Sequence, residues 1–250
     1  MRKLMPGFVR RRLWGDREKY GLEIDYDDAC WKQWQKIATK AYNETQKKGI
    51  GRWINDAGYK IMSEANLNNS TVLEIGAGDI NHSIYWGDNP SYYYLADVHE
   101  DMLEKPKKVL EKLDIEYCPI LIKRQEVWPI ADETVDVVIS FYSLEHLYPL
   151  DFYIEQIKRV LKPGGVLVGA VPTEGGILWG VGRYLTTRRW FTKNTEINYD
   201  KIICWEHPNY ADKIIHQLDQ SLTRQSISFW PLGLFKWMDI NLIARFVYKK

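Results

Sequence analysis

Residues 71–79 have the sequence Thr-Val-Leu-Glu-Ile-Gly-Ala-Gly-Asp, an apolar run followed by two glycines that flank a single alanine. The β-branched bias of Thr71 to Ile75 favours a buried strand. Glycine at positions 76 and 78 lets the following turn bring backbone against a ligand where a Cβ would collide. Because open α/β sheets bind ligands at the carboxyl ends of their strands, this stretch predicts a nucleotide-cofactor site.

A dinucleotide-binding unit that serves hydride transfer is one alternative for the same glycines. Its fingerprint requires glycine or alanine three places after the second glycine, and this chain has Asn81 there. An NAD-dependent oxidoreductase is therefore disfavoured.

Four segments, in the same order along the chain, resemble class I S-adenosylmethionine-dependent methyltransferases. Glu74–Gly78 resembles their first motif, although the third glycine that the family often carries is Ile80 here. The other three are Trp128–Ser140, the Leu-Glu-His stretch within Ser140–Leu147, and Leu161–Gly165. The resemblance implies an α/β, Rossmann-like fold with S-adenosylmethionine as cofactor. Its sheet would have seven mostly parallel strands with an antiparallel last strand, helices on both faces, an N-terminal helical lid and an insert after the fifth strand.

Tyr92–Asp97 is a second strand-like run, and it ends in an acid roughly 20 residues beyond the glycines, the spacing of a ribose-binding carboxylate. Asp97 could also cap the helical segment that follows, and the two roles can coexist. The resemblance adds adenine contacts from Gln125 or Glu126, because Arg124 cannot accept a hydrogen bond from the adenine amino group. The predicted cofactor-binding residues are Glu74, Gly76, Ala77, Gly78, Asp97, Val98, Gln125, Glu126 and Ser140.

Composition limits the classes of function. The 34 Lys and Arg residues nearly balance 33 Asp and Glu, so no global field recruits nucleic acid. The three cysteines have no metal-like spacing and fit unpaired thiols in a reducing cytoplasm. No apolar run approaches the roughly 20 residues of a membrane span. We expect a cytoplasmic protein with a basic arm and helical lid at residues 1–66, a cofactor-binding domain at 67–250 and an insert at about 172–215.

The first 19 residues hold seven basic residues against two acidic ones. One interpretation is a mobile, solvated arm. The other is that Phe8, Leu13 and Trp14, beside those arginines, settle on an anionic surface and give the protein a peripheral membrane contact. After the arm, residues 27–62 have helical spacing of their aromatic residues, which predicts the lid.

The insert after the fifth strand is the region expected to choose the methyl acceptor. Arg183, Arg188 and Arg189 alternate there with aromatic residues, a mixture suited to sugars and phosphates. Together with Tyr142, these arginines are the predicted substrate-binding residues. The alternative is an amphipathic helix whose arginines lie in water.

A hydroxyl acceptor requires a group that takes its proton, and the candidates are His146, His82, His207, Glu145 and Glu174. Of these, His146, His207 and Glu174 are the predicted catalytic residues. A structural role for His146 is the alternative. Residues 172–208 also resemble methyltransferases of bacterial surface-polysaccharide pathways, which implies a small-molecule or glycan acceptor. The alternatives are a quinone or lipid-like aromatic acceptor, and a catalytically inactive partner protein with the same fold.

Overall fold

The computed structural model describes residues 2–45, 50–233 and 237–250. Its centre is a seven-stranded sheet with the strand order β3-β2-β1-β4-β5-β7-β6. The strands are β1 (Thr71–Ile75), β2 (Tyr92–Asp97), β3 (Glu116–Leu121), β4 (Val135–Phe141), β5 (Leu161–Pro172), β6 (Thr223–Trp230) and β7 (Ile243–Lys249). Only β7 runs antiparallel to its neighbours in this sheet. The predicted fold is confirmed.

Helices lie on both faces of the sheet and over its carboxyl edge. They are α1 (Gly7–Trp14), α2 (Arg17–Tyr20), α3 (Ala29–Thr45), α4 (Ile50–Tyr59), α5 (Glu104–Lys112), α6 (Leu150–Val160), α7 (Ile177–Arg183), α8 (Arg189–Asn194), α9 (Tyr199–Glu206) and α10 (Ala211–Ser221). A π-helical turn, Tyr184–Arg188, joins α7 to α8. The helix predicted over residues 27–62 is divided into α3 and α4, and residues 46–49 between them lie outside the described residues.

Two buried apolar layers cover the two faces of the sheet, because its central strands alternate their side chains between them. In β4, Val138 belongs to the layer with α6 and α10, whereas Ile139 belongs to the layer with the 3₁₀ helix Lys60–Glu64. Burial on both faces explains the nearly continuous apolar sequence of this strand. The sheet is thereby rigid at the edge where β1, β2, β4 and β5 end.

The N-terminal arm is docked on the insert, which corrects the prediction of a mobile arm. Trp14 is buried, and its indole N–H donates to the Gly176 carbonyl at 3.3 Å. Arg17 donates to the carbonyl oxygens of His207 and Pro208 at 2.6 and 2.7 Å. Arg2 forms a 2.8 Å ion pair with Asp212. A charge run in sequence does not show such partners, because all of them lie more than 150 residues away.

Candidate active site

The glycine turn after β1 has the geometry of a ligand cradle. Gly76 has φ +72°, and its N–H donates to the Ala96 carbonyl at 2.8 Å. A Cβ on Gly76 would lie 2.8 Å from the Cβ of Ser143. Gly78 has φ +56°, and a Cβ added there would meet nothing described within 4 Å. The turn therefore needs glycine for its conformation and leaves open space beside Gly78.

Ile80 occupies the place of the family's third glycine and keeps a left-handed backbone, with φ 48° and ψ 41°. That conformation costs a β-branched residue roughly 1–2 kcal/mol. The Ile80 side chain is only 1% exposed and packs in the core layer that includes Tyr93. Burying such a side chain contributes roughly 1.5–3 kcal/mol, enough to offset the strain.

Glu74 supports the turn from inside the protein. Its carboxylate is buried and accepts hydrogen bonds from His82 Nε2 at 2.8 Å and from the Tyr93 hydroxyl at 2.5 Å. His82 Nδ1 accepts a hydrogen bond from the Trp86 indole N–H at 3.0 Å. The ring proton of neutral His82 is therefore on Nε2, which donates the hydrogen bond to Glu74. Both carboxylate oxygens thus have partners inside the protein, and the predicted contact of Glu74 with the cofactor stays a prediction.

Asp97 ends β2 at the same edge, next to an open apolar surface. One of its oxygens accepts the His99 N–H at 2.9 Å, and desolvation raises the pKa of its carboxyl group. Val98 and Leu121 are each 46% exposed and line an open surface cleft of about 620 Å³ together with His99, Glu100, Asp101 and Glu104. This arrangement offers a carboxylate and an apolar surface side by side, the two features that a nucleoside requires.

The other predicted cofactor residues differ in accessibility. Gln125 and Glu126 are exposed in the loop after β3, where Glu126 lies 3.6 Å from Lys123. Ala77 and Ser140 are buried: the Ala77 methyl group is in the core, and the Ser140 hydroxyl is 2.6 Å from that of Ser143. Because both side chains are buried, we expect any cofactor contact at these two positions to come from backbone atoms.

Tyr142 connects the lid to the carboxyl end of β4. Its hydroxyl donates to the Asn55 carbonyl of α4 at 2.9 Å, with the Ile54 carbonyl at 3.3 Å. Burial raises the pKa of Tyr142 well above its usual value, so the phenol stays neutral. The residue was predicted to bind substrate, whereas its hydroxyl is committed to holding α4 over the sheet.

Two of the three arginines predicted to bind the acceptor have structural partners instead. Arg183 is 5% exposed and donates to the carbonyl oxygen of Leu13 at 2.7 and 2.9 Å and to that of Arg12 at 3.1 Å. Arg188 forms a two-pronged ion pair with Asp200, at 2.9 and 2.7 Å. Only Arg189 is exposed. The three arginines therefore do not form one free cluster, because the Arg183 guanidinium bonds backbone carbonyls and that of Arg188 pairs with Asp200. A contribution of Arg189 to acceptor binding stays a prediction.

His146, His207 and Glu174 are brought together, although they come from three separate segments. The rings of His146 and His207 have centroids 4.5 Å apart in an edge-to-face arrangement. His207 Nδ1 lies 2.7 Å from Glu174 Oε2, and His146 Nδ1 lies 2.6 Å from the Glu206 carbonyl oxygen. A carbonyl only accepts, so the proton of neutral His146 is on Nδ1 and its Nε2 carries the lone pair.

The pKa values of the two histidines are shifted in opposite directions. Desolvation lowers the pKa of His207, but the carboxylate of Glu174, with smaller contributions from Glu145 and Glu206, raises it to about 9. Desolvation, followed by the charge of His207, lowers the pKa of His146, although the residue as a whole is exposed. At neutral pH one ring is therefore an imidazolium paired with Glu174 and the other is neutral.

Two further acids complete the cluster, and of the two only Glu145 was among the candidates for taking the proton. Burial raises the pKa of Glu145 to about 8 and that of Glu206 to about 7. Among the described residues Glu145 Oε2 has no hydrogen-bond partner, which agrees with a protonated, neutral acid. Glu145 lies in the Leu-Glu-His stretch and was visible in sequence. Glu206 was not, because only the fold places the end of α9 beside His146.

The described residues fit a nucleoside cofactor. The open side of Gly78 and the exposed Val98 leave room at the ends of β1 and β2, and Asp97 supplies a carboxylate there. Within the described ranges no group of three or more His, Cys, Asp and Glu side chains is arranged to hold a metal ion.

Comparison with known proteins identifies the central part of the chain. Residues 73–169 match a family model described as "Methyltransferase domain". This segment is a methyltransferase domain with the class I fold. The domain and the fold imply S-adenosylmethionine as the methyl donor.

Solved structures with this fold cover most of the methyltransferase chain at low sequence identity. An S-adenosylmethionine-dependent methyltransferase from Mesorhizobium loti superposes with a TM-score of 0.51 and 13% identity, covering 74% of this chain and 93% of that one. The [4+2]-cyclase SpnF superposes with a TM-score of 0.56 and 13% identity, covering 88% and 94%. These similarities concern the fold.

Curated relatives match over shorter stretches. A probable S-adenosylmethionine-dependent methyltransferase of Mycolicibacterium smegmatis is 41% identical over 44 residues, which are 18% of this chain and 17% of that protein. The human mitochondrial arginine-hydroxylase NDUFAF5 is 29% identical over 126 residues, which are 50% of this chain and 34% of that protein. The chain thus spans about a third or less of the length of these two relatives.

Proposed function

We propose that this chain transfers a methyl group from S-adenosylmethionine to a hydroxyl group of a small-molecule or glycan acceptor. The observation that carries the proposal is the array of His146, His207 and Glu174, with centroids of the two rings 4.5 Å apart and a 2.7 Å contact to the carboxylate. His146 follows β4 and Glu174 follows β5, so the array belongs to the same edge of the sheet as the glycine turn.

When bound, S-adenosylmethionine would supply an activated methyl carbon, from which an acceptor oxygen would displace the thioether sulfur in line. The tasks of the chain are to hold that oxygen and to receive its proton. His146 meets the second requirement, because its Nδ1–H is fixed by the Glu206 carbonyl and its Nε2 is left to accept. His207, which is paired with Glu174, contacts the His146 ring edge-to-face, and its charge adds to desolvation in keeping His146 neutral.

A sugar hydroxyl of bacterial surface-polysaccharide biosynthesis is the acceptor class that we propose. It is supported by the sequence resemblance of residues 172–208, and no longer by a cluster of free arginines, since Arg183 and Arg188 are engaged within the protein. We therefore expect an uncharged hydroxyl to be methylated, with at most Arg189 near an anionic group of the acceptor.

Transfer is tested with a radiolabelled methyl donor and a panel of nucleotide-sugars, glycans and quinone analogues. Stabilisation by saturating S-adenosylhomocysteine reports cofactor binding separately, and should be several kcal/mol by mass action. Product with a sugar supports the proposal, and product with a quinone alone supports the lipid-like alternative. Stabilisation without transfer to any acceptor would favour a protein that keeps the cofactor site and has lost the reaction.

His146→Ala tests the proton acceptor on whichever substrate is found. We expect kcat to fall by roughly 100-fold or more with cofactor affinity unchanged. His216→Ala is the matched control, because His216 is exposed on α10. A wild-type rate in His146→Ala would contradict the assignment.

The pH profile distinguishes the two histidines. Since the pKa of His146 is lowered, the wild-type rate should stay flat between pH 6 and 8 if His146 is the acceptor of the proton. The pKa of His207 is raised to about 9, so a rate that climbs toward pH 9 would transfer the role to His207.

A further inference from the structure

Two segments that are far apart in sequence carry basic residues and no acidic ones. Residues 2–14 contain five Lys or Arg residues, residues 177–193 contain four, and neither contains Asp or Glu. Since the whole chain holds 34 basic and 33 acidic residues, the remainder has an excess of acidic residues. The positive charge of this protein is therefore concentrated in these two segments.

The fold packs the two segments against each other. The Arg183 guanidinium of α7 bonds the carbonyl oxygens of Arg12 and Leu13 at the end of α1. Trp14 fills the space beside Gly180, where a Cβ would lie 2.7 Å from the indole nitrogen. The two basic segments thus form one continuous surface, called here the basic-apolar face.

Large apolar side chains are exposed on this face. Leu4 is 89% exposed, Phe8 is 67% exposed and Leu185 is 57% exposed. Leu178, Val181 and Leu185 are spaced i, i+3 and i+7, so they share one outward side of α7 and the π-helical turn. The side opposite to them holds Gly180 and Arg183, which are buried against α1.

Basic side chains surround those apolar ones. Lys3, Arg10, Arg11, Arg12, Arg189 and Lys193 are all exposed. Arg11 lies 3.6 Å from Asp16, with both partners open to solvent. Exposed aliphatic and aromatic groups among arginines and lysines match a bilayer interface, where the cations meet lipid phosphates and the apolar groups enter the acyl boundary.

We propose that the basic-apolar face docks the protein on an anionic lipid bilayer. The charge is complementary to that surface, and the exposed leucines and phenylalanine distinguish it from a nucleic-acid site, which phosphate contacts alone would serve. None of the helices in the described ranges is both long enough and apolar enough to cross a membrane, so the association is with the surface. This inference does not depend on the proposed methyl transfer.

Co-sedimentation of the full chain with vesicles tests the proposal. Phosphatidylcholine vesicles with about a third of phosphatidylglycerol should pellet the protein, whereas pure phosphatidylcholine should pellet much less, and salt should weaken the binding. The double variant Arg10→Glu, Arg12→Glu should lower the partition coefficient at least tenfold, because each basic residue near an anionic surface contributes about fivefold.

Two controls keep the result specific. Lys108→Glu with Lys112→Glu reverses the same number of exposed charges on α5, outside the basic-apolar face, and should bind like the wild type. Phe8→Ser should weaken binding that persists at high salt, and circular dichroism melting shows whether each variant is folded.

Absence of binding to anionic vesicles at low salt would overturn the proposal. So would an equal loss in both double variants, because it would show that overall charge is sufficient. Preferential binding to single-stranded DNA over the vesicles, with no effect of Phe8→Ser, would instead assign the face to a nucleic acid.

Discussion

The glycine turn and the arm-insert region hold their shapes by different means. At the turn, backbone conformation and steric closeness do most of the work, as at Gly76, whose hydrogen atom faces Ser143. Between α1 and α7, the buried Arg183 guanidinium donates to the carbonyl oxygen of Leu13, which lies 170 residues earlier in the sequence. The turn is therefore specified by a few consecutive residues, whereas the arm-insert region depends on partners that only the complete fold brings together.

Because of this difference, substitutions should have different effects in the two regions. A substitution at the turn should alter the ligand site and leave the rest of the protein folded. A substitution among the long-range partners should lower the free energy of unfolding, even at a residue whose type suggests ligand binding. The three predictions below test that division, from the largest expected effect to the smallest.

Gly76→Val should abolish measurable cofactor binding, with a loss of more than about 100-fold. A branched side chain opposes the positive φ and would lie against Ser143, in the turn that approaches the ligand. Calorimetry with S-adenosylhomocysteine measures the affinity. Gly87→Val is the control, since an added Cβ there has open space. Wild-type affinity in a folded Gly76→Val protein would refute the cofactor role of the turn.

Arg183→Met should lower the free energy of unfolding by about 3 kcal/mol, because it leaves carbonyl oxygens of α1 without their donor. Arg189→Met, on the exposed side, should change it by less than about 0.5 kcal/mol. Urea unfolding of both variants measures the difference. Equal stabilities would mean that Arg183 is free to serve a ligand after all.

Glu145→Gln should flatten the decline of stability with pH. The folded-state pKa of Glu145 is raised to about 8, above its ordinary value of 4.5, so its contribution is complete below pH 4.5 and is lost as the pH rises toward 8. Between pH 6 and 9 the wild type should therefore lose roughly 2–3 kcal/mol more than the variant, about 1.4 kcal/mol for each pH unit below the folded-state pKa.

Thermal melting across that pH range gives the measurement, with the exposed Glu155→Gln as control. His207, whose pKa is also raised, adds to the decline in every variant. A wild-type slope in Glu145→Gln would show that Glu145 is already ionised in the folded protein.

The first two strands were predictable because their signals are local. Thr71–Ile75 and Tyr92–Asp97 are bounded in the structure where the sequence pattern ends them, and the antiparallel last strand follows from the family resemblance. The docking of the N-terminal arm and the partners of Arg183 and Arg188 were not predicted, for the opposite reason. Hydrogen bonds to backbone carbonyls leave no trace in a sequence pattern, so a buried Arg183 and an exposed Arg189 have the same letter.

The histidine cluster lies between these cases. His146, His207 and Glu174 were chosen by their chemistry and by their nearness to strand ends, and the structure brings all three together. Which ring is charged was beyond the sequence, because it depends on burial and on Glu145 and Glu206 around the pair. Their roles in catalysis stay predictions.

Ile80 carries a lesson for recognising similar domains. Its backbone has the left-handed conformation that glycine usually supplies, while its side chain is anchored in the core. A search pattern that insists on a third glycine would reject this chain, although the path of the turn is preserved. A search for this turn by backbone dihedral angles and by the depth of the neighbouring pocket would find related domains that a search for a third glycine discards.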